Sequence, residues 1–131
     1  MDPLAKVLNE SKTIAVVGLS SDPTKPSYKV AKYLQERNFK IIPVNPNLTE
    51  AFGEKAYPDV LSIPGSVDLV DIFRSPDAVP EIVEQAIAEK AKVVWMQPGA
   101  ENMQAAERAM QAGLEVIVGV CIKREHRAQR E

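Results

Sequence analysis

Three short clusters carry most of the side chains in this chain that can do chemistry. The first is Gly18, Leu19, Ser20, Ser21 and Lys25, with Asp22, Pro23 and Thr24 among them. Small residues that leave backbone N–H groups accessible, next to a lysine, are the means by which a loop holds a phosphate. The second cluster is Phe73-Arg74-Ser75, where a guanidinium can grip a phosphate as a planar fork. The third is Gln97-Pro98-Gly99. Cys121 and His126 add a thiol and an imidazole, with Lys123 and Arg124 nearby to favour a thiolate. A buried, unreactive cysteine is the ordinary alternative. One His and one Cys make no zinc site, and no triad is recognisable around them.

The elements that must position these clusters follow from the apolar pattern. Ile14-Ala15-Val16-Val17 reads as a buried strand, and Gly18 ends it. A helix running from Pro26 or Ser27 to Arg37 carries Val30, Ala31 and Leu34 inward, with Tyr33 beside them. Its unpaired N–H groups and positive dipole end face the loop from Leu19 to Pro26. Strand, glycine, polar loop and helix are the arrangement in which nucleotide-binding sheets hold a phosphate; a plain strand-to-helix turn, with Ser27 as its N-cap, is the competing reading. A dinucleotide fingerprint is incomplete, since Ser20 and Pro23 stand where glycines would be. The second strand also ends Ile42-Pro43-Val44-Asn45-Pro46 without an acidic ribose clamp.

Along the rest of the chain, Pro3 to Asn9 predicts a short leading helix, and Phe39 to Val44 a second strand closed by Asn45-Pro46-Asn47. Leu48 to Ser66 reads as a loop with at most a helical turn at Asp59 to Ser62. Val67 to Phe73 suits a buried parallel strand. A helix from Ser75 turns Val79, Ile82, Val83, Ala86 and Ile87 inward. Lys92 to Met96 is a fourth strand, which places Trp95 in the core rather than at a ligand. Asn102 to Ala112 is a helix with Met103, Ala106, Ala109 and Met110 inward, and Gly113 closes it. Leu114 to Val118 is a fifth strand, followed by a charged tail. Alternating strands and helices require parallel pairing, and right-handed crossovers with one reversal predict the order 3-2-1-4-5. The binding crevice is then expected above the C-terminal ends of strands one and four.

At 131 residues the chain is expected to be one domain with its own core. Its net charge of −2 and pI near 5.5 argue against nucleic acid or an anionic membrane as a general partner. The single cysteine excludes an internal disulfide and suits a reducing, cytoplasmic setting. No apolar run reaches membrane-spanning length.

Five segments of the sequence carry a resemblance: VVGLSSDPTKPSYKVAKYL, IIPVNPN, VDLVDIFRSPDAVP, VVWMQPGAEN and CIKREH. Together they resemble the small stand-alone CoA-binding proteins, similar to the N-terminal domain of the succinyl-CoA synthetase α subunit. Many relatives carry Asp-Arg before the cysteine, where this chain has Gly119-Val120. The resemblance implies a Rossmann-like three-layer α/β/α fold and coenzyme A or an acyl-CoA as a small-molecule ligand, with no catalytic centre in this chain. It implies that Gly18 to Ser21 receive the pyrophosphate, with Lys25 and Arg74 as its cations. Val44, Asn45 and Pro46 would wall the adenine, Phe73 and Ser75 would border the ligand, and Gln97, Pro98 and Gly99 would form the opposite lip. Arg74 paired only with Asp71 or Asp77, and Lys25 merely solvated, are the alternatives. An enzyme acting on a CoA thioester or an NAD(P)-type cofactor, a CoA-responsive regulatory subunit with a protein partner, and a homodimer all remain open.

Overall fold

The computed structural model describes residues 2–130, and in it strand and helix alternate as the apolar pattern requires. Helix α1 (Pro3–Glu10) precedes strand β1 (Thr13–Val17), and α2 (Pro26–Glu36) leads to β2 (Lys40–Val44). A hairpin of β3 (Glu50–Ala51) and β4 (Glu54–Lys55) follows. Then come β5 (Leu69–Ile72), α3 (Val79–Ala88), β6 (Val93–Met96), α4 (Met103–Gln111), β7 (Glu115–Val118) and α5 (Ile122–Gln129).

Five of these strands form one parallel sheet in the order β2-β1-β5-β6-β7. Counted without the hairpin this is 2-1-3-4-5, so the expected order 3-2-1-4-5 is corrected. Pro43 supplies the physical reason. It lies opposite Val16, and its carbonyl points away from β1 to accept from Tyr57 N–H at 3.0 Å. The nitrogen on that same outer side has no hydrogen to donate, so β2 cannot carry a full strand beyond it. Only a single bridge, Val44 to Tyr57, forms there. All four residues of β5 are buried, which demands an interior place beside β1. The reversal of chain direction therefore falls between β1 and β5, not at the fourth strand.

Helices α3 and α4 cover one face of the sheet, over Val70, Ile72, Val94 and Met96. Helices α1, α2 and α5 cover the other, over Ile14, Val16, Leu69 and Trp95. Trp95 is fully buried there and sends its indole N–H to the Val120 carbonyl at 2.7 Å, as a core residue must.

Two elements depart from expectation. Helix α4 buries Ala105, Ala106 and Ala109, while Met103 and Met110 stay 65% and 54% exposed. Asn102 sets this phase by accepting from Ala105 N–H and donating to the Pro76 carbonyl, and the alanine face lets α4 lie close to α3. The charged tail is a helix, α5, whose inward positions are Ile122 and His126. The irregular stretch after β2 also contains the hairpin, whose tight turn uses positive φ at Phe52 and Gly53. The helical turn expected at Asp59 to Ser62 is present, capped by the Asp59 carboxylate.

Candidate functional site

The loop after β1 is organised from within. Gly18 donates to the Val44 carbonyl at 2.8 Å and takes φ +87°, open to glycine at little cost. A Cβ on Gly18 would overlap the Phe73 carbonyl oxygen and lie 3.0 Å from Arg74 Cδ. The glycine is thus required by the crossing of the loop after β5. Leu19 is fully buried in the α2 side of the core, so only its main chain is available. Its carbonyl accepts from the Asn45 side chain at 2.9 Å, which ties the first loop to the second.

The next residues satisfy one another. Ser27 Oγ accepts from Ser20 N–H, Ser20 Oγ from Asp22 N–H, and Asp22 Oδ1 from Thr24 N–H and hydroxyl. The hydrogen bonds from Thr24, backbone first, hold the Asp22 carboxyl below its ordinary range. The residue preceding α2 is Lys25, whose side chain makes no capping bond; Ser27, the N-cap of the competing reading, is instead the second helical residue. Among the described residues, the N–H groups of Leu19, Ser21, Ser27 and Tyr28 have no acceptor. An open helix start flanked by free donors is an anion site in waiting.

Beside this loop stands the segment after β5. Phe73 N–H donates to the Val17 carbonyl, and Arg74 follows, exposed. Ser75 Oγ donates to Asp77 Oδ1 at 2.6 Å, and that bond is the main reason the Asp77 carboxyl sits below its usual range. Neither Lys25 nor Arg74 has a carboxylate within 4.0 Å among the described residues. Arg74 thus forms no ion pair with Asp71 or Asp77, although its charge adds a smaller part to the lowering of the Asp77 carboxyl. The segment after β6 completes the wall. Gln97 is almost fully buried, and its Oε1 accepts from Ile122 N–H at 3.1 Å, fastening the start of α5.

These three connections enclose a cavity of about 620 Å³. Nine expected residues line it: Gly18, Ser20, Lys25, Phe73, Arg74, Ser75, Gln97, Pro98 and Gly99. Pro26, Ser27, Val30, Ala100 and Cys121 join them; of these, Val30 was expected in the core and Ala100 carries no signal in the sequence. Two smaller recesses adjoin. One of about 280 Å³ includes Val44 and Pro46, and one of about 320 Å³ includes Gly18, Asn45 and Pro46. Arg74 borders all three. Ser21 lines none and faces solvent. His126 is turned away from Cys121: it is buried, and its Nδ1 lies 2.8 Å from the Tyr33 hydroxyl. Burial first, then Arg130 and Arg37, depresses its pKa.

The sequence offers Asp71 only as a partner for Arg74. It is fully buried in β5 between Val16 and Trp95, and neither carboxylate oxygen has a hydrogen-bond partner. Burial raises its pKa well above the carboxylate range. A lone Asp inside an apolar strand was the available signal. No group of metal-ligating residues exists among the described residues, and none of the described helices is long and apolar enough to cross a membrane.

The sequence model of the CoA binding domain family matches residues 12–127. This chain belongs to that family. Among the proteins this chain is similar to is the uncharacterized protein YneT of Bacillus subtilis, 39% identical over 94% of this chain and 91% of that protein. A hypothetical protein from Pyrococcus horikoshii has the same fold, with a TM-score of 0.95 at 41% identity, covering 98% of this chain and 90% of that one. The ADP-forming acetate–CoA ligase of Methanocaldococcus jannaschii is 35% identical over 61% of this chain. The match spans only 11% of that ligase.

Proposed function

We propose that this protein binds coenzyme A, free or acylated, in the crevice between β1 and β5, and has no catalytic centre of its own. The observation that carries the reading is the pair of cations Lys25 and Arg74, neither with a carboxylate within 4.0 Å among the described residues, beside the uncapped start of α2 and a largely apolar cavity. Such a site suits a long ligand with a charged middle and an uncharged arm. The pyrophosphate would meet the N–H groups of Ser27 and Tyr28 and the two cations. The pantetheine arm would fill the cavity towards Gln97 and Cys121, and the adenine would rest on Val44 to Pro46. Family membership supports the ligand class, and the missing acidic clamp at Asn45 disfavours NAD.

Calorimetry with CoA, NAD and ATP tests this. CoA is expected to bind tightest, and Arg74→Ala to weaken it by about 1–3 kcal/mol through loss of a charge-assisted hydrogen bond. Equal or tighter binding of NAD, or full CoA affinity in a folded Arg74→Ala variant, would overturn it. Cys121 on the cavity wall favours a second reading, an enzyme that attacks a CoA thioester. His126 faces Tyr33, however, and so supplies no base to that thiol. Hydrolysis of acyl-CoA that disappears in Cys121→Ser would establish the second reading.

A further inference from the structure

Helices α2 and α5 enclose a second concavity, of about 460 Å³, which shares no residue with the cavity described above. Lys29, Lys32, Arg37, Lys123 and Arg127 line it, against one carboxylate, Glu36. The chain has sixteen Lys and Arg and eighteen Asp and Glu. Five cations and one carboxylate in the groove leave eleven against seventeen elsewhere, so a face of +4 sits on a remainder of −6. Among the described residues, Arg37 alone of the five has a carboxylate within 4.0 Å, at 3.7 Å from Glu36.

We propose that this groove docks an acidic segment of another protein. From Lys29 to Arg37 the cations extend about 12 Å along the helix axis, at roughly 1.5 Å per residue. That is too long for one phosphate and fits about four residues of extended chain, at roughly 3.3 Å each. The aromatic rings in the groove are already engaged. Arg37 lies 4.0 Å from the Tyr33 ring centre and Lys123 5.6 Å, while Tyr28 leans on Phe52 at 4.8 Å. Tyr33 thus offers no open face for stacked bases, which single-stranded nucleic acid would need. The net negative charge of the rest of the chain disfavours a large polyanion or an anionic bilayer, whereas a short acidic segment fits within the groove. The inference does not depend on what occupies the cavity.

The test measures fluorescence anisotropy of a labelled ten-glutamate peptide at low salt, against the intact protein, a Lys29→Glu/Lys32→Glu/Arg127→Glu variant and a Lys90→Glu control. Lys90 is exposed and lies at the end of α3, on the other face of the sheet. The expected result is saturable binding that weakens at least tenfold by 200 mM NaCl, as for exposed charges under screening. The triple variant is expected to lose at least tenfold in affinity, and the control less than twofold. A Lys29→Gln/Lys32→Gln variant of unchanged melting temperature should fall between them, which separates lost charge from lost fold. No binding at low salt, or a triple variant within twofold of the parent, would overturn the proposal. So would tighter binding of a twelve-nucleotide single-stranded DNA or of phosphatidylserine vesicles.

Discussion

Asp71 is a carboxyl group in the least hospitable place this fold offers, the interior of a central strand with no partner for either oxygen. Desolvation penalises the charged form, so the folded protein holds the proton far above the unfolded value of about 3.9. The sign follows. Above that unfolded value the unfolded chain binds fewer protons than the native one, so stability falls as pH rises, by up to about 1.4 kcal/mol per pH unit, until the folded pKa is reached. Asp71→Asn keeps the shape and removes the titration. We expect the variant to be the more stable form at pH 7, with a margin over the parent that shrinks as the pH is lowered to 5. Urea unfolding at both values measures it; a variant less stable at pH 7, or a constant margin, would refute the account. Gly18 teaches a related lesson. Its need for glycine was legible, but the sequence suggested an approaching phosphate, whereas the atom that a side chain would strike is the Phe73 carbonyl oxygen.

Elements were legible wherever the apolar period was dense. Ile14 to Val17 and the Val30-Ala31-Leu34 face of α2 announce themselves. Helix α5 does not, because only Ile122 and His126 in its eight residues face inward, and the rest reads as solvated charge. Its attachment is made of polar contacts that no periodicity shows. Gln97 Oε1 receives the Ile122 N–H at its start, and one turn on His126 meets the Tyr33 hydroxyl between the rings of Tyr33 and Phe39. Removing the first tether leaves a buried donor without an acceptor, worth about 1–3 kcal/mol. Gln97→Ala is therefore expected to speed amide hydrogen exchange across α5 while leaving β1 and β5 protected. Equal loss of protection in the strands would show that α5 unfolds only with the whole chain.

At the scale of the molecule, strand order decides whether a site exists. Neighbouring strands lie about 4.8 Å apart, so the order 3-2-1-4-5 would put the end of the third strand roughly 10 Å from the end of the first. Arg74 could not then lie against Gly18. The observed order sets β1, β5 and β6 side by side and brings their three following loops to one mouth. The residues that line the cavity were thus readable from loop types, while the topology that unites them was not, because Pro43 speaks for an edge only once its carbonyl direction is known. A site assembled from three separate connections exists only in the folded chain. A ligand held there stabilises the whole fold by mass action, about 2.7 kcal/mol at one hundred times its Kd. For a chain of this size that corresponds to a rise in Tm on the order of 10 °C. We expect CoA at that excess to produce such a rise in thermal unfolding, NAD at the same concentration to produce much less, and Arg74→Ala to shrink the CoA effect. Equal shifts with CoA and NAD would mean that the crevice selects only for a nucleotide diphosphate, and the arm would then have no place in the cavity.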